Sequence, residues 1–487
     1  MNLNKLTLIA AVTALVTACG SSTGGTDLYQ GVPFDMPIVR QPAIPERTVV
    51  LTDYNAVGDG VTLNTEAFAQ AIDELSKQGG GYVEVPAGIW FTGPIGLQSH
   101  TGLKLDKDAV IVFSADQALY PIIDTNFEGL DVRRCLSPLH AEGATDIAVI
   151  GQGVIDGNGD AWREVKRRKV GDDQWKTIIA KGGVLADDGK TWFPDEGYKA
   201  ARATAGTLNK PADDLDENYI KTFLRPVMLS FRNCERVLLE GVTFQNSPCW
   251  NLHPLWCKDV TIKDITVRNP HYSTNGDGID IEACENVLLT GSTFDVGDDA
   301  ICIKSGKDED GRRHAVPCKN LIIKDCTVYH GHGGFVVGSE MSGGVENIWV
   351  SGCRFLGTDV GLRFKSTRGR GGVVKNIWCD HILMKDIVSY GVIFNLYYAG
   401  VAATDKADNE ATDLQPVDET TPEFRDIHIA DVTCAGAAQA IFINGLPELP
   451  VRNIDFHNSI FTAKKGSEVH FAQHITFDNV RVNGETL

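Results

Sequence analysis

The stretch GDDAICIKSG, residues 297–306, sets two carboxylates, Asp298 and Asp299, at the head of an alternating apolar run. In an extended strand successive side chains point to opposite faces. One of the pair therefore shares the phase of Ile301 and Ile303, which read as core. A charge buried there without a partner is costly, so the pattern predicts a bend or bulge that turns both carboxylates to a cleft. Three further stretches place polar groups beside strand starts: NGDGID (275–280), GHGGFVVGSE (331–340) and RFKSTRGRGG (363–372). The set comprises Asp277, Asp298, Asp299, the imidazole of His332, and the cations Arg363 and Lys365, two apart on one strand face with Phe364 opposite. Glycoside hydrolysis needs a protonated acid for the leaving oxygen and a carboxylate that activates water or attacks directly. Crowding like charges raises the pKa of one member, so acid and base can coexist at one pH. The Arg–Lys fork suits an anionic substrate group, since Arg can clamp a carboxylate with two hydrogen bonds.

Taken singly these residues are ordinary: an Asp-Gly pair marks a turn, and a histidine between glycines can be a turn residue. Their spacing makes them a set. Asp277 precedes Asp298 by 21 residues, Asp299 precedes His332 by 33, and His332 precedes Arg363 by 31. These intervals match a repeat of two polar residues followed by alternating apolar ones: CERVLLEGVTF, CKDVTIKDITV, CENVLLTGSTF, CKNLIIKDCTV, VENIWVSGCRF, VKNIWCDHILM, FRDIHIADVTC, VRNIDFHNSIF and AQHITFDNVRV. The units align on Val237, Val260, Val287, Leu321, Ile348, Ile377, Ile427, Ile454 and Ile475, and residues 101–113 and 145–157 look like earlier coils. A period in this range signals stacked units, each too small to bury its own apolar face. Short β-branched strands without helical periodicity favour a right-handed parallel β-helix over a propeller, whose blades are longer. In such a solenoid the four stretches stack into one ridge. Phe68, Ile72 and Leu75 mark a short amphipathic helix, ended by glycines, that caps the open end.

Two segments break the repeat. Residues 160–220 form a mixed-charge insertion, and a second insertion between Ile377 and Ile427 carries LYYAGVAATDKADNEATD. Loops of that length are commonly functional. KDEDGRR (307–313) reads as a solvated loop rather than a calcium site.

The 487 residues are 43% hydrophobic, enough for a large core, and the net charge of −19 argues against a nucleic-acid partner. At the N-terminus, Lys5 precedes an apolar run too short to span a bilayer, ending at Val16-Thr17-Ala18-Cys19. The run resembles a bacterial lipobox with Cys19 as the acylated residue, which implies a signal peptide (1–18), a lipoprotein tether (19–47) and a catalytic β-helix (48–487). The expected location is that of an exported lipoprotein, periplasmic or anchored at the outer membrane or cell surface. No C-x-x-C pair occurs among the 12 cysteines, so a zinc site is not expected. Cysteines inside strand patterns, such as Cys302, Cys326 and Cys353, read as free and structural.

NGD, GDD, GHG and RFK stand in the order of four signatures of glycoside hydrolase family 28, the polygalacturonases, and the chain resembles that family over about residues 48–487. The opening DYNAVGDGVTLNTEAFAQAIDELSKQGGGYVEVPAGIWFTGPI also resembles the start of its bacterial members. Gly276 stands where the family has Thr, and Phe364 where it has Ile. The resemblance implies an inverting single displacement on α-1,4-linked galacturonic acid, needing neither metal nor organic cofactor. Asp298 would be the general acid, Asp277 and Asp299 would activate water, and His332 would tune the acid. Arg363 and Lys365 would bind the substrate carboxylate, with Asn275 beside them. Tyr397 takes the place of a sugar-contacting tyrosine, with Tyr398 as the competing choice. The partner would be an acidic plant polysaccharide, and a membrane is met only through the lipid anchor. If residues 160–220 wall off one end of the groove, the enzyme is exo-acting, from the non-reducing end; endo-action and rhamnogalacturonan hydrolysis are the near alternatives. A calcium-dependent pectate lyase and a non-catalytic pectin-binding β-helix share the fold.

Overall fold

The computed structural model describes residues 27–205, 216–398 and 414–487. Cys19, the segment 1–18 expected to be a signal peptide, and much of the second insertion lie outside the described residues. The repeat units form three long sheets, of 13, 13 and 11 strands, in which each strand hydrogen-bonds to its equivalent in the next coil. The residues aligned in the sequence are partners in register: Val237 with Val260, then Val287, Leu321, Ile348, Ile377, Ile427, Ile454 and Ile475. Ile147, from an earlier coil, pairs with Val237. The architecture is a right-handed parallel β-helix. Its interior is filled by these stacks and by the inward residues of the other sheets, such as Phe244, Phe294 and Phe355, all fully buried. Each such aliphatic or aromatic side chain contributes about 1.5–3 kcal/mol by burial.

The polar pair that opens each unit has a structural reason. Its second member, among them Asp259, Asn286, Asn320, Asn347 and Asn376, adopts a positive φ and is skipped by the strand register. Asn and Asp enter that left-handed region most cheaply among residues with a side chain. Their side chains form a ladder along the corner: Asn320 Nδ2 donates to Asn286 Oδ1 at 3.1 Å, and Asn347 Nδ2 to Asn320 Oδ1 at 3.1 Å.

The helix Thr65–Lys77 caps the N-terminal end, burying Phe68, Ile72 and Leu75. Part of the 19–47 segment read as a tether is held down: Leu28, Tyr29, Val32, Phe34 and Met36 pack with Val39 on Leu288, Ile322, Trp349 and Trp378, on the outer face of the first sheet. That face carries an apolar row wherever this cover lies, and the segment has no periodicity to announce it. The eleven cysteines beyond Cys19 are buried and free, as expected from their strand phases.

The 160–220 insertion, in its described part, is folded. A small antiparallel sheet (Val165–Lys166, Val184–Leu185, Thr191–Phe193) packs on two clusters: Trp162, Phe193, Tyr198 and Phe223 with the helix Glu196–Ala205, and Val165 and Trp192 with Trp175 and Ile178 of the helix Asp172–Ala180. KDEDGRR is not a solvated loop but the short helix Asp308–His314, tied to the ridge by Asp308–Arg370 and by Arg312 Nη1 donating to Gly369 O at 2.6 Å.

Candidate active site

The site lies on the outer face of the third sheet, on the strands Ile279–Glu282, Ile301–Lys304, Phe335–Val337 and Val360–Lys365. Ile301 and Ile303 are fully buried inside the helix, and Cys302 and Lys304 point the other way. The backbone bends at Gly297, Asp298 and Ala300 just before this strand. Asp299, in the phase of Ile301, is thereby swung to the outer face, where Lys365 Nζ donates to its Oδ2 at 2.7 Å and Arg363 Nη1 to its Oδ1 at 3.2 Å. The charge in core phase is not in the core. Phe364, between the two cations, is buried and stacked on Phe394 with centroids 4.4 Å apart.

Asp277, Asp298 and Asp299 each bring a carboxylate oxygen within 4.8 Å of the others. Their surroundings differ. Burial, then the nearby Asp298, Asp280 and Asp299, push the Asp277 carboxyl well above its usual value, and its Oδ1 is buried with no hydrogen bond. Burial also acts to raise Asp298, but His332, whose Nδ1 lies 3.0 Å from its Oδ1, outweighs that with help from Lys365 and Lys169 and holds it well below the carboxylate range. Burial of Asp299 is likewise overcome, by Lys365 and Arg363. The bond to Asp298 raises His332 above its ordinary value. The proton shared by the His332–Asp298 pair therefore rests on the imidazole in the free enzyme.

The loop bearing Asp277 is held by Arg225, fully buried, which donates to Pro248 O, Thr274 O and Asn275 Oδ1, each at 2.9 Å. Asn275 lines the cleft with its carbonyl oxygen committed to Arg225. Gly276 has a local cause: a Cβ there would meet Ser273 Oγ at 1.9 Å, and one at Gly297 would meet the same oxygen at 2.5 Å. We expect Gly276→Ala to lower kcat about a hundredfold by displacing Asp277, since misplacing a catalytic group by about 1 Å costs that much. Adding Ser273→Gly should restore most of it, as steady-state kinetics of both variants would show.

The tyrosine expected in the cleft is corrected by one position. Tyr397 is buried against the core with Arg368 over its ring. Tyr398 lies in the cleft, with Lys365 Nζ 4.8 Å from its ring centroid and Arg363 5.8 Å. At a strand end the alternation stops, so sequence phase could not choose between neighbours. Sequence reading also missed Asp280, Lys304, Glu340, Arg370 and Trp250. Lys304 Nζ donates to Glu340 Oε2 at 2.8 Å, lies 3.7 Å from Asp280 and sits 4.9 Å over Trp250. All but Trp250 fall within the quoted stretches, and the outward phase of Lys304 beside Cys302 was the available signal.

The cleft of about 1070 Å³ around these groups is bounded on the side of the earlier coils by a hairpin and a tryptophan. The hairpin Ile122–Phe127/Leu130–Cys135 reaches down so that Lys307 N donates to Gly129 O at 3.0 Å. Glu128 and Trp250 line that end. The insertion supplies Lys169 at the flank, its backbone oxygen 3.0 Å from His271 Nε2.

A coil-stacked ridge of three carboxylates, an imidazole and two cations on a parallel β-helix defines a polysaccharide-processing glycosidase. Residues 213–481 match the model for glycosyl hydrolases family 28. The chain is 30% identical over 430 residues to a probable polygalacturonase of Vitis vinifera, covering 86% of this chain and 75% of the relative. It is 28% identical over 415 residues to the exo-poly-alpha-D-galacturonosidase of Dickeya chrysanthemi, covering 83% and 65%. Among solved structures, a hyperthermoactive exopolygalacturonase from Thermotoga maritima superposes with a TM-score of 0.76 at 33% identity, over 92% of this chain and 94% of that one. The chain belongs to glycosyl hydrolase family 28, and it is a glycoside hydrolase.

Proposed function

We propose that this enzyme hydrolyses α-1,4-galacturonosidic bonds of pectic galacturonan one unit at a time from the non-reducing end. The observation that supports the exo mode is the hairpin that bounds the N-terminal end of the cleft. The hairpin tip at Glu128–Gly129 and Trp250 form that wall, not the 160–220 insertion alone, which contributes Lys169 at the side. A terminal unit enters the hairpin end, and the rest of the chain leaves over Arg363 and Lys365.

In the proposed reaction the carboxylate of the unit beyond the scissile bond sits on Arg363 and Lys365. Its charge offsets the cations that help keep Asp298 ionised. Asp298 then takes the proton stored on His332 and delivers it to the glycosidic oxygen. A water held between Asp277 and Asp299 attacks C1 from the opposite side and leaves its proton on that pair. One water donating to two carboxylates at about 2.8 Å each spans roughly 4.5 Å between acceptors, which the oxygen spacing here accommodates. The same spacing is close to the roughly 5–5.5 Å of enzymes that form a covalent intermediate. Against direct attack stands the engagement of both Asp299 oxygens by cations.

Three measurements check this. A product time course on saturated oligogalacturonides should give galacturonate monomer from the first turnover, and proton NMR of fresh product should show the β anomer. A spread of sizes would sink the exo mode, and an α product the single displacement. The third is a pH profile. Because the His332–Asp298 pair works only while protonated, kcat/KM should hold through pH 6.5 and fall as pH rises through the elevated His332 value. His332→Gln should lower kcat/KM about a hundredfold and abolish that alkaline limb.

A further inference from the structure

Beyond Arg363 and Lys365 the groove changes character. A second cleft of about 900 Å³ shares His332, Arg363, Lys365 and Tyr398 with the first and runs on over the strands Tyr390–Asn395 and Gln439–Asn444. On the outer face Arg363 is in register with Ile393 and then Phe442, and Lys365 with Asn395. Tyr390 and Phe442 form a partly exposed aromatic floor with ring centroids 5.6 Å apart. Among the described residues lining this extension, no cation lies beyond the Arg363–Lys365 pair, and both of those are engaged by Asp299. At its margins stand Asp359 on the rim, 3.9 Å from His332 Nε2, and Glu468, in register with Phe442 and paired with His470 at 2.7 Å, whose ring lies 6.3 Å from Phe442. A free carboxylate placed here would meet Asp359 and no unpaired cation among the described lining residues, over an apolar floor where its desolvation is uncompensated.

We infer that the second unit past the scissile bond is recognised uncharged, as the methyl ester of galacturonate, with its methyl and the sugar's apolar face on Tyr390 and Phe442. Strands lie about 4.8 Å apart, close to the length of one pyranose unit, so each step along the chain falls on the next strand. The unit on Arg363 and Lys365 must be a free acid, and the one after it need not be. This inference rests on the proposed placing of the cut between the hairpin end and Arg363–Lys365. The ester pattern of the substrate would then act as a selector at a distance from the chemistry.

The test uses the full-length enzyme with tetragalacturonates that are unesterified, or methyl-esterified on the second or the third unit from the non-reducing end. An ester on the third unit should raise kcat/KM at least about fivefold over the unesterified substrate. An ester on the second should lower it strongly. Phe442→Ala and Tyr390→Ala should raise KM for both substrates, and more for the third-unit ester, so that the fivefold preference shrinks towards one. Equal or slower cleavage of the third-unit ester, while unesterified substrate still yields monomer, overturns the inference alone. Mixed products from the unesterified substrate overturn the exo reading instead, and the ester effect is then scored at the second unit past whichever bond is cut.

Discussion

Asp298→Asn should lower kcat on oligogalacturonides by about a thousandfold or more, the upper range for a positioned general acid, with little change in KM. The argument is electrostatic. Of the three clustered carboxylates, Asp298 is the one paired with an imidazole, His332, whose Nδ1 lies 3.0 Å away and whose pKa that pairing raises. Asp299 has both oxygens engaged by cations, and Asp277 is buried behind the pair with one oxygen unpartnered. A leaving alkoxide needs a proton, whereas a leaving phenolate of low pKa does not. Rates on an aryl α-galacturonide should therefore drop much less in Asp298→Asn than rates on oligogalacturonides. Asp277→Asn and Asp299→Asn should lose both activities alike, because every leaving group needs the water activated. If Asp298→Asn loses the aryl substrate equally, Asp298 is not the acid.

Much of this arrangement is legible in the sequence. Residues with a fixed phase were legible: the stack from Val237 to Ile475 keeps its register coil after coil because a slip of one residue would expose a whole apolar face. The ridge of charged side chains followed, since residues one coil apart must be spatial neighbours. The bend at Asp298–Asp299 was legible too, from the cost of a buried charge. What escaped lies where phase ends. Tyr397 and Tyr398 sit past a strand end, and the wall came from the Ile122–Cys135 hairpin, whose antiparallel pairing has no counterpart in the repeat. The Lys304–Glu340 pair was hidden for another reason: a buried cation in a strand looks like surface until its partner, 36 residues on, is placed beside it.

Lys365→Met should be the most damaging single change in the ridge, for two separable reasons. Lys365 Nζ is buried and donates to the equally buried Asp299. Removing one partner of such a pair leaves an uncompensated charge and costs about 3–5 kcal/mol. Asp299 should respond by binding a proton, because the cation that most lowers its pKa is gone. A protonated Asp299 cannot accept a proton from water, and the substrate carboxylate has lost one of its two cations. Loss of activity should therefore exceed about a thousandfold in kcat/KM, with thermal unfolding shifted down. The double variant Lys365→Met/Asp299→Asn separates the two effects. With the stranded charge removed, the unfolding temperature should recover most of the way, while activity stays lost. A Lys365→Met enzyme that melts like wild type would show that Arg363 alone suffices to neutralise Asp299. Asp299 would then be the residue to follow by its own titration.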